Sequence, residues 1–128
     1  MRGDINWEGK SILVVEDDHI NYSYLDIVLK STRARVLHAI EGQQAINLCR
    51  EHPEINVVLM DIRLPGMNGL DATKHITALR NDLPVIAQTA YATEDDQAAA
   101  LSAGCRDFIA KPIRANDMIN MIRKYLEG

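Results

Sequence analysis

Acids, a hydroxyl and an amine stand at the points where short apolar runs of this chain end. Glu16, Asp17 and Asp18 follow "ILVV", Asp61 follows "VVLM", Thr89 closes "IAQT" and Lys111 closes "FIAK". Two carboxylates about 4 Å apart repel by roughly 4 kcal/mol at an effective dielectric near 20. Three acids in one cleft are therefore driven to take up protons unless something balances them. With Glu16, Asp17 and Asp61 in one place, Lys111 supplies a single positive charge, and a divalent cation balances the remainder. Oxygen ligands of this kind suit Mg2+, which takes one or two carboxylates and leaves room for phosphate oxygens. The set reads as a Mg2+ site built for a phosphoryl group. Asp61 is the nucleophile, forming an acyl phosphate. Mg2+ and Lys111 neutralise the transferring oxygens, and Thr89 offers a hydroxyl to one of them.

That chemistry needs a fold that gathers the run ends. The runs "SILVV", "ARVLHAI", "INVVLM", "LPVIAQTA" and "RDFIAKP" read as strands, and a segment of helical pattern follows each. The helices are "INYSYLDIVLK", "QQAINLCREH", "LDATKHITALRN", "ATEDDQAAALSAG" and "NDMINMIRKYL". In the first, Ile20, Tyr24, Ile27 and Val28 fall on one face, which predicts the buried side. Thr93 is an N-cap with acids in the following turn, and Gly104 is a stop. The alanine-rich "QAAALSA" reads as close-packed core. Five such units predict an α/β fold with a doubly wound parallel sheet. In that fold the carboxyl ends of the strands share one edge, where ligands bind.

At 128 residues the chain is sized for one domain with a single core. Residues 1–10 are the one candidate for a loose lead-in, with Trp7 a candidate to pack back, and 11–128 form the domain. A net charge of −4 without a Lys/Arg stripe argues against direct nucleic-acid binding. No apolar run approaches the roughly 20 residues that span a bilayer, and the first ten residues lack a signal-peptide core. Cys49 and Cys105 have no metal spacing and read as reduced packing residues of a cytoplasmic protein.

The motifs "ILVVEDD", "VVLMDIRLPGMNGL", "IAQTAYA" and "DFIAKPI", in this order, resemble the receiver domains of two-component response regulators. The resemblance covers Ser11 to Leu126. It implies a flavodoxin-like sheet in the order 2-1-3-4-5 flanked by five helices. It also implies that Asp61 accepts phosphate from a histidine kinase or a histidine phosphotransfer protein. Asp17 and Asp61 would ligate Mg2+ by side chain, Arg63 by its backbone carbonyl, and Glu16 through metal-bound water. Lys111 would pair with the carboxylate and then with the phosphoryl group. Thr89 and Phe108 match the family's switch pair, a two-state element biased by a local charge change. Lys111–Pro112 matches a bond often cis in the family. The lead-in through "NYSYL" is similar to receivers at the C-terminal end of hybrid sensor kinases. Arg63 is a long cation where many relatives carry a smaller or apolar side chain, and Tyr91, two residues after Thr89, is bulky; both flank the site.

Other readings are weaker. An aspartyl phosphatase needs a second Asp two residues after the nucleophile, and Arg63 stands there. A flavodoxin-like cofactor binder needs a phosphate loop after the first strand, where "EDDHIN" is acidic. A receiver-like interaction module that takes no phosphate would have no use for the intact acids, Thr89 and Lys111. His19, His38, His52 and His75 show no ligand spacing, and Asp18 reads as a helix N-cap.

Overall fold

The computed structural model describes residues 5–90 and 93–127. Strands and helices alternate as β1 (Ser11–Val15), α1 (His19–Lys30), β2 (Arg35–Ala39), α2 (Gly42–Glu51), β3 (Ile55–Asp61), α3 (Gly69–Leu79), β4 (Val85–Thr89), α4 (Glu94–Ala103), β5 (Asp107–Ala110) and α5 (Ala115–Leu126). All strand pairs are parallel, in the order β2-β1-β3-β4-β5. Tyr91 and Ala92 lie outside the described residues, so the expectation attached to Tyr91 has no structural counterpart.

Alternation along the strands divides the interior into two layers. Leu13, Val15, Val58, Met60, Val85 and Ala87 face α2, α3 and α4. Ile12, Val14, Val57, Leu59 and Ile86 face α1 and α5. Strands β1 and β4 are buried at every position, as their continuous apolar runs require. The edge strands β2 and β5 alternate or fray.

Helix α1 differs from its sequence pattern. Leu25, Val28 and Leu29 are buried, whereas Ile20 is 84%, Ile27 71% and Tyr24 40% exposed. The helix carries two apolar stripes, and only one can face the sheet. The Leu25/Val28/Leu29 stripe wins because it holds two leucines and no hydroxyl-bearing ring. Asp18 fixes the phase by capping the first turn, accepting from Asn21 N–H at 2.9 Å.

Helix α4 is a second correction. Only Ala100 and Ala103 of the alanine-rich run are buried, and Leu101 is 53% exposed. The apolar residues of this helix do not keep to one side, so a narrow pair of alanines meets the layer below. Its ends match expectation: Thr93 accepts from Asp96 N–H at 3.1 Å, and Gly104 closes it in the left-handed region at φ 111°.

In the lead-in, Ile5 and Trp7 are buried against the α1/α5 layer. Trp7 N–H donates to Thr32 O at 2.7 Å, and its indole Nε1 donates to Glu127 Oε2 at 2.7 Å.

Candidate functional site

Strand β3 delivers Asp61 at its last residue, on the edge where β1, β4 and β5 also end. The site is tight because Gly69 opens α3 directly against that strand end. A Cβ at Gly69 would lie 2.2 Å from Asp61 O, so only glycine permits the approach. Gly69 N–H also donates to Ile62 O at 3.1 Å, pinning the loop.

Asp61 is 3% exposed. Its Oδ1 accepts from Arg63 N–H at 2.9 Å, and its Oδ2 accepts from Lys111 Nζ at 2.9 Å. Lys111 Nζ is also 3.4 Å from Glu16 Oε1. Carboxylate oxygens of Glu16, Asp17 and Asp61 lie within 4.8 Å of one another. Burial on its own would lower the Lys111 pKa, but hydrogen bonding and charge from Asp61, then from Glu16, hold it above its ordinary value. Burial pushes the Glu16 carboxyl up, with the Asp61 charge adding to it, against hydrogen bonds from Asp18 N–H and Asn21. Three carboxylates against one ammonium leave an uncompensated negative excess. A hard cation with oxygen preference fits that donor set, two members buried and Asp17 exposed.

Thr89, 1% exposed, ends β4, and its Oγ1 finds no partner among the described residues. Lys111 N–H donates to Thr89 O at 2.8 Å, which fastens the β5–α5 loop to the strand end. Phe108 is half-buried and pairs in register with Ala87, two residues before Thr89. Phe108 and Thr89 therefore share the sheet face under α3 and α4. The Lys111–Pro112 peptide is cis. Arg63 presents an exposed side chain beside the pocket.

Three neighbours carry weight that the sequence did not signal. Asn21 Nδ2 donates to Glu16 Oε1, and Asp18 N–H donates to Glu16 Oε2 at 3.1 Å. His38 Nε2 lies 2.8 Å from Glu16 O, to which it donates, and its ring stacks on Tyr22 at 3.5 Å between centroids. Glu16 is thus held through both side chain and backbone. Asn21 stands five residues after Glu16 in a capped first turn, and that spacing was the available clue. His38 had none, since its role depends on β2 lying beside β1. His19 and Asp18 stay outside the acid cluster, Asp18 as the cap.

The winding of the sheet, with every one of these groups at its carboxyl edge, defines a flavodoxin-like class that places its ligand at that edge. The chain belongs to the response regulator receiver domain family, whose model matches residues 12–123, and is a receiver domain of two-component signalling. It is 35% identical over 120 residues to the polar-differentiation response regulator DivK of Brucella ovis, covering 91% of this chain and 96% of DivK. The receiver domain of the sensor histidine kinase PA1611 of Pseudomonas aeruginosa, solved with a magnesium ion in its active-site cleft, superposes with TM-score 0.86 at 33% identity, covering 94% and 99% of the two chains. The Ssk1 receiver of Saccharomyces cerevisiae, solved with the histidine phosphotransfer protein Ypd1, superposes with TM-score 0.86 at 26% identity, covering 91% and 88%. No helix among the described residues is long and apolar enough to cross a membrane.

Proposed function

We propose that Asp61 is the phosphoacceptor, taking a phosphoryl group from a phosphohistidine on a histidine kinase or a histidine phosphotransfer protein. The observation that carries this is a buried Asp61 carboxylate 2.9 Å from Lys111 Nζ, with Glu16 and Asp17 oxygens within 4.8 Å. One Asp61 oxygen attacks phosphorus; the O–P bond forms as the N–P bond to the donor imidazole breaks, and the electron pair leaves with that nitrogen. Lys111, within reach of Asp61 and Glu16, neutralises charge on the transferred oxygens. Asp17, Asp61 and the Arg63 backbone carbonyl would hold Mg2+, and Glu16 would act on it through water. When bound, Mg2+ supplies positive charge to the phosphoryl oxygens. The same constellation lets the domain assist its own phosphorylation and, through an attacking water, its dephosphorylation.

The unpartnered Thr89 hydroxyl is free to donate to a phosphoryl oxygen. Phe108, on the same face, moves inward as Thr89 shifts, which carries the change to α4 and β5. We place the receiver at 11–128, with 1–10 as lead-in, in the cytoplasm. Two relatives support the donor class: the Ssk1 receiver was solved with Ypd1, a histidine phosphotransfer protein, and the PA1611 receiver belongs to a sensor histidine kinase.

Acetyl phosphate with Mg2+ is expected to add one phosphoryl group to this chain, read by intact mass. Asp61→Asn is expected to abolish the increase. An unmodified wild-type mass, with circular dichroism showing an intact fold, sinks the reading.

A further inference from the structure

The amino-terminal edge of the sheet, opposite the acids, carries a cleft of about 410 Å³ between the α3–β4 turn and the end of α5. Four cations line it, Lys10, Arg80, Arg106 and Lys124, against one acid, Asp82. Their partners do not cancel them. Arg80 donates to His52 O at 3.3 Å and Ile55 O at 2.8 Å, and Arg106 donates to Asn81 O at 3.0 Å. Carbonyls aim a guanidinium but bring no countercharge, and each group keeps unused donors out of five. Lys10 has no ion-pair partner among the described residues. Of the four, Lys124 alone has an ion-pair partner among the described residues, Asp107 at 2.8 Å. Four positive charges against Asp82 and Asp107 leave an excess of two, on a chain whose net charge is −4.

The rest of the wall is not charged. Tyr125 is fixed by its hydroxyl, 3.1 Å from Asp107 Oδ2 and 3.3 Å from Arg106 O. Leu83, Pro84 and Leu126 complete the lining but present little surface, so the exposed wall is mainly polar. Guanidinium forks match phosphate oxygens in pairs, and a cleft of this size suits a small-molecule ligand. We propose that this cleft binds a small organic phosphate of mononucleotide size. Its phosphate lies among Arg80, Arg106 and Lys10, and its planar, hydrogen-bonding base lies against Tyr125. The site is separate from Asp61, since the seven residues of β3 span roughly 20 Å between the two edges.

Trp7 is a built-in reporter. Lys10 N–H donates to Trp7 O at 2.9 Å, and the Trp7 indole donates to Glu127, next to Leu126. The experiment titrates the full chain with adenosine 5′-monophosphate, adenosine and inorganic phosphate at constant ionic strength, read by calorimetry and Trp7 emission. The nucleotide is expected to bind more tightly than either fragment. Arg106→Gln and Lys10→Gln are each expected to weaken it about tenfold, the loss of one charge-assisted contact. Labelling of Asp61 by acetyl phosphate is expected to persist in both variants, and it reports the phosphoacceptor reading separately. Absence of heat and emission change at millimolar nucleotide overturns the proposal. So does unchanged affinity in both variants, and so does inorganic phosphate binding as tightly as the nucleotide.

Discussion

Asp61 and Gln88 are neighbours in register across β3 and β4, and the protein treats their polar atoms in opposite ways. Asp61 has an ammonium and a backbone N–H. Gln88 is 0% exposed, and neither its amide oxygen nor its nitrogen has a partner among the described residues. A buried polar group left unmet costs about 1–3 kcal/mol, and Met matches Gln in length without that demand. Gln88→Met is therefore expected to raise unfolding stability by about 1–2 kcal/mol in urea titration. A loss of stability would show that the amide is satisfied through water and contributes to the core. The same substitution tests function separately: acetyl phosphate labelling is expected to continue, since Lys111, Glu16 and Asp17 are untouched.

At the scale of elements, α1 holds its place with one stripe and exposes the other. Leu25→Ala is expected to cost about 2–5 kcal/mol. Ile20→Ser and Ile27→Ser are expected to stay within about 0.5 kcal/mol of the parent. The exposed stripe begins three residues after Asp17, at the rim of the acid pocket, where a protein phosphodonor must approach. The two Ser variants are expected to slow transfer from a phosphohistidine protein several-fold while acetyl phosphate labelling is unchanged; equal slowing of both donors would refute a docking role. The tie between β5 and α5 has a pH signature. Burial would raise the Asp107 carboxyl, but hydrogen bonds from Lys124 Nζ, Phe108 N–H and the Tyr125 hydroxyl hold it below its ordinary 3.8. Its folded-state pKa is the lower one, so its contribution is present above 3.8 and is lost as pH falls through the native value. The stability margin of wild type over Asp107→Asn is expected to close in acid, and a margin that persists there would contradict the ionic origin.

These elements also show what the sequence could tell. The inner strands were legible because burial on both faces writes a continuous apolar run. The acids were legible because parallel winding forces every strand end to one edge. The phase of α1 was not, since two stripes compete and the loser is visible only against the sheet. His38 and the close approach at Gly69 depend on which strands and loops lie side by side, which leaves no periodic trace, and Asn21 left only its spacing from Glu16.

At the scale of the whole molecule the two edges of the sheet are chemically distinct and physically apart. Acids and Lys111 occupy the carboxyl edge; Trp7 closes the amino edge, buried and bonded to Glu127. The five residues of β1 separate them by roughly 13 Å. A magnesium titration is therefore expected to leave the emission of Trp7, excited selectively, nearly unchanged. The same titration is expected to raise the melting temperature, since a ligand held by the folded state alone stabilises it by mass action. Global unfolding must move the emission strongly, because the indole passes from the interior to water. Trp7→Ala is expected to cost about 3–5 kcal/mol, a large share of the roughly 5–15 kcal/mol available to a domain. A strong magnesium quench of the folded protein would mean that charge at one edge repacks the other. The lead-in, α1 and α5 would then be one mechanical unit with the acid pocket, and Trp7 its readout rather than its bystander.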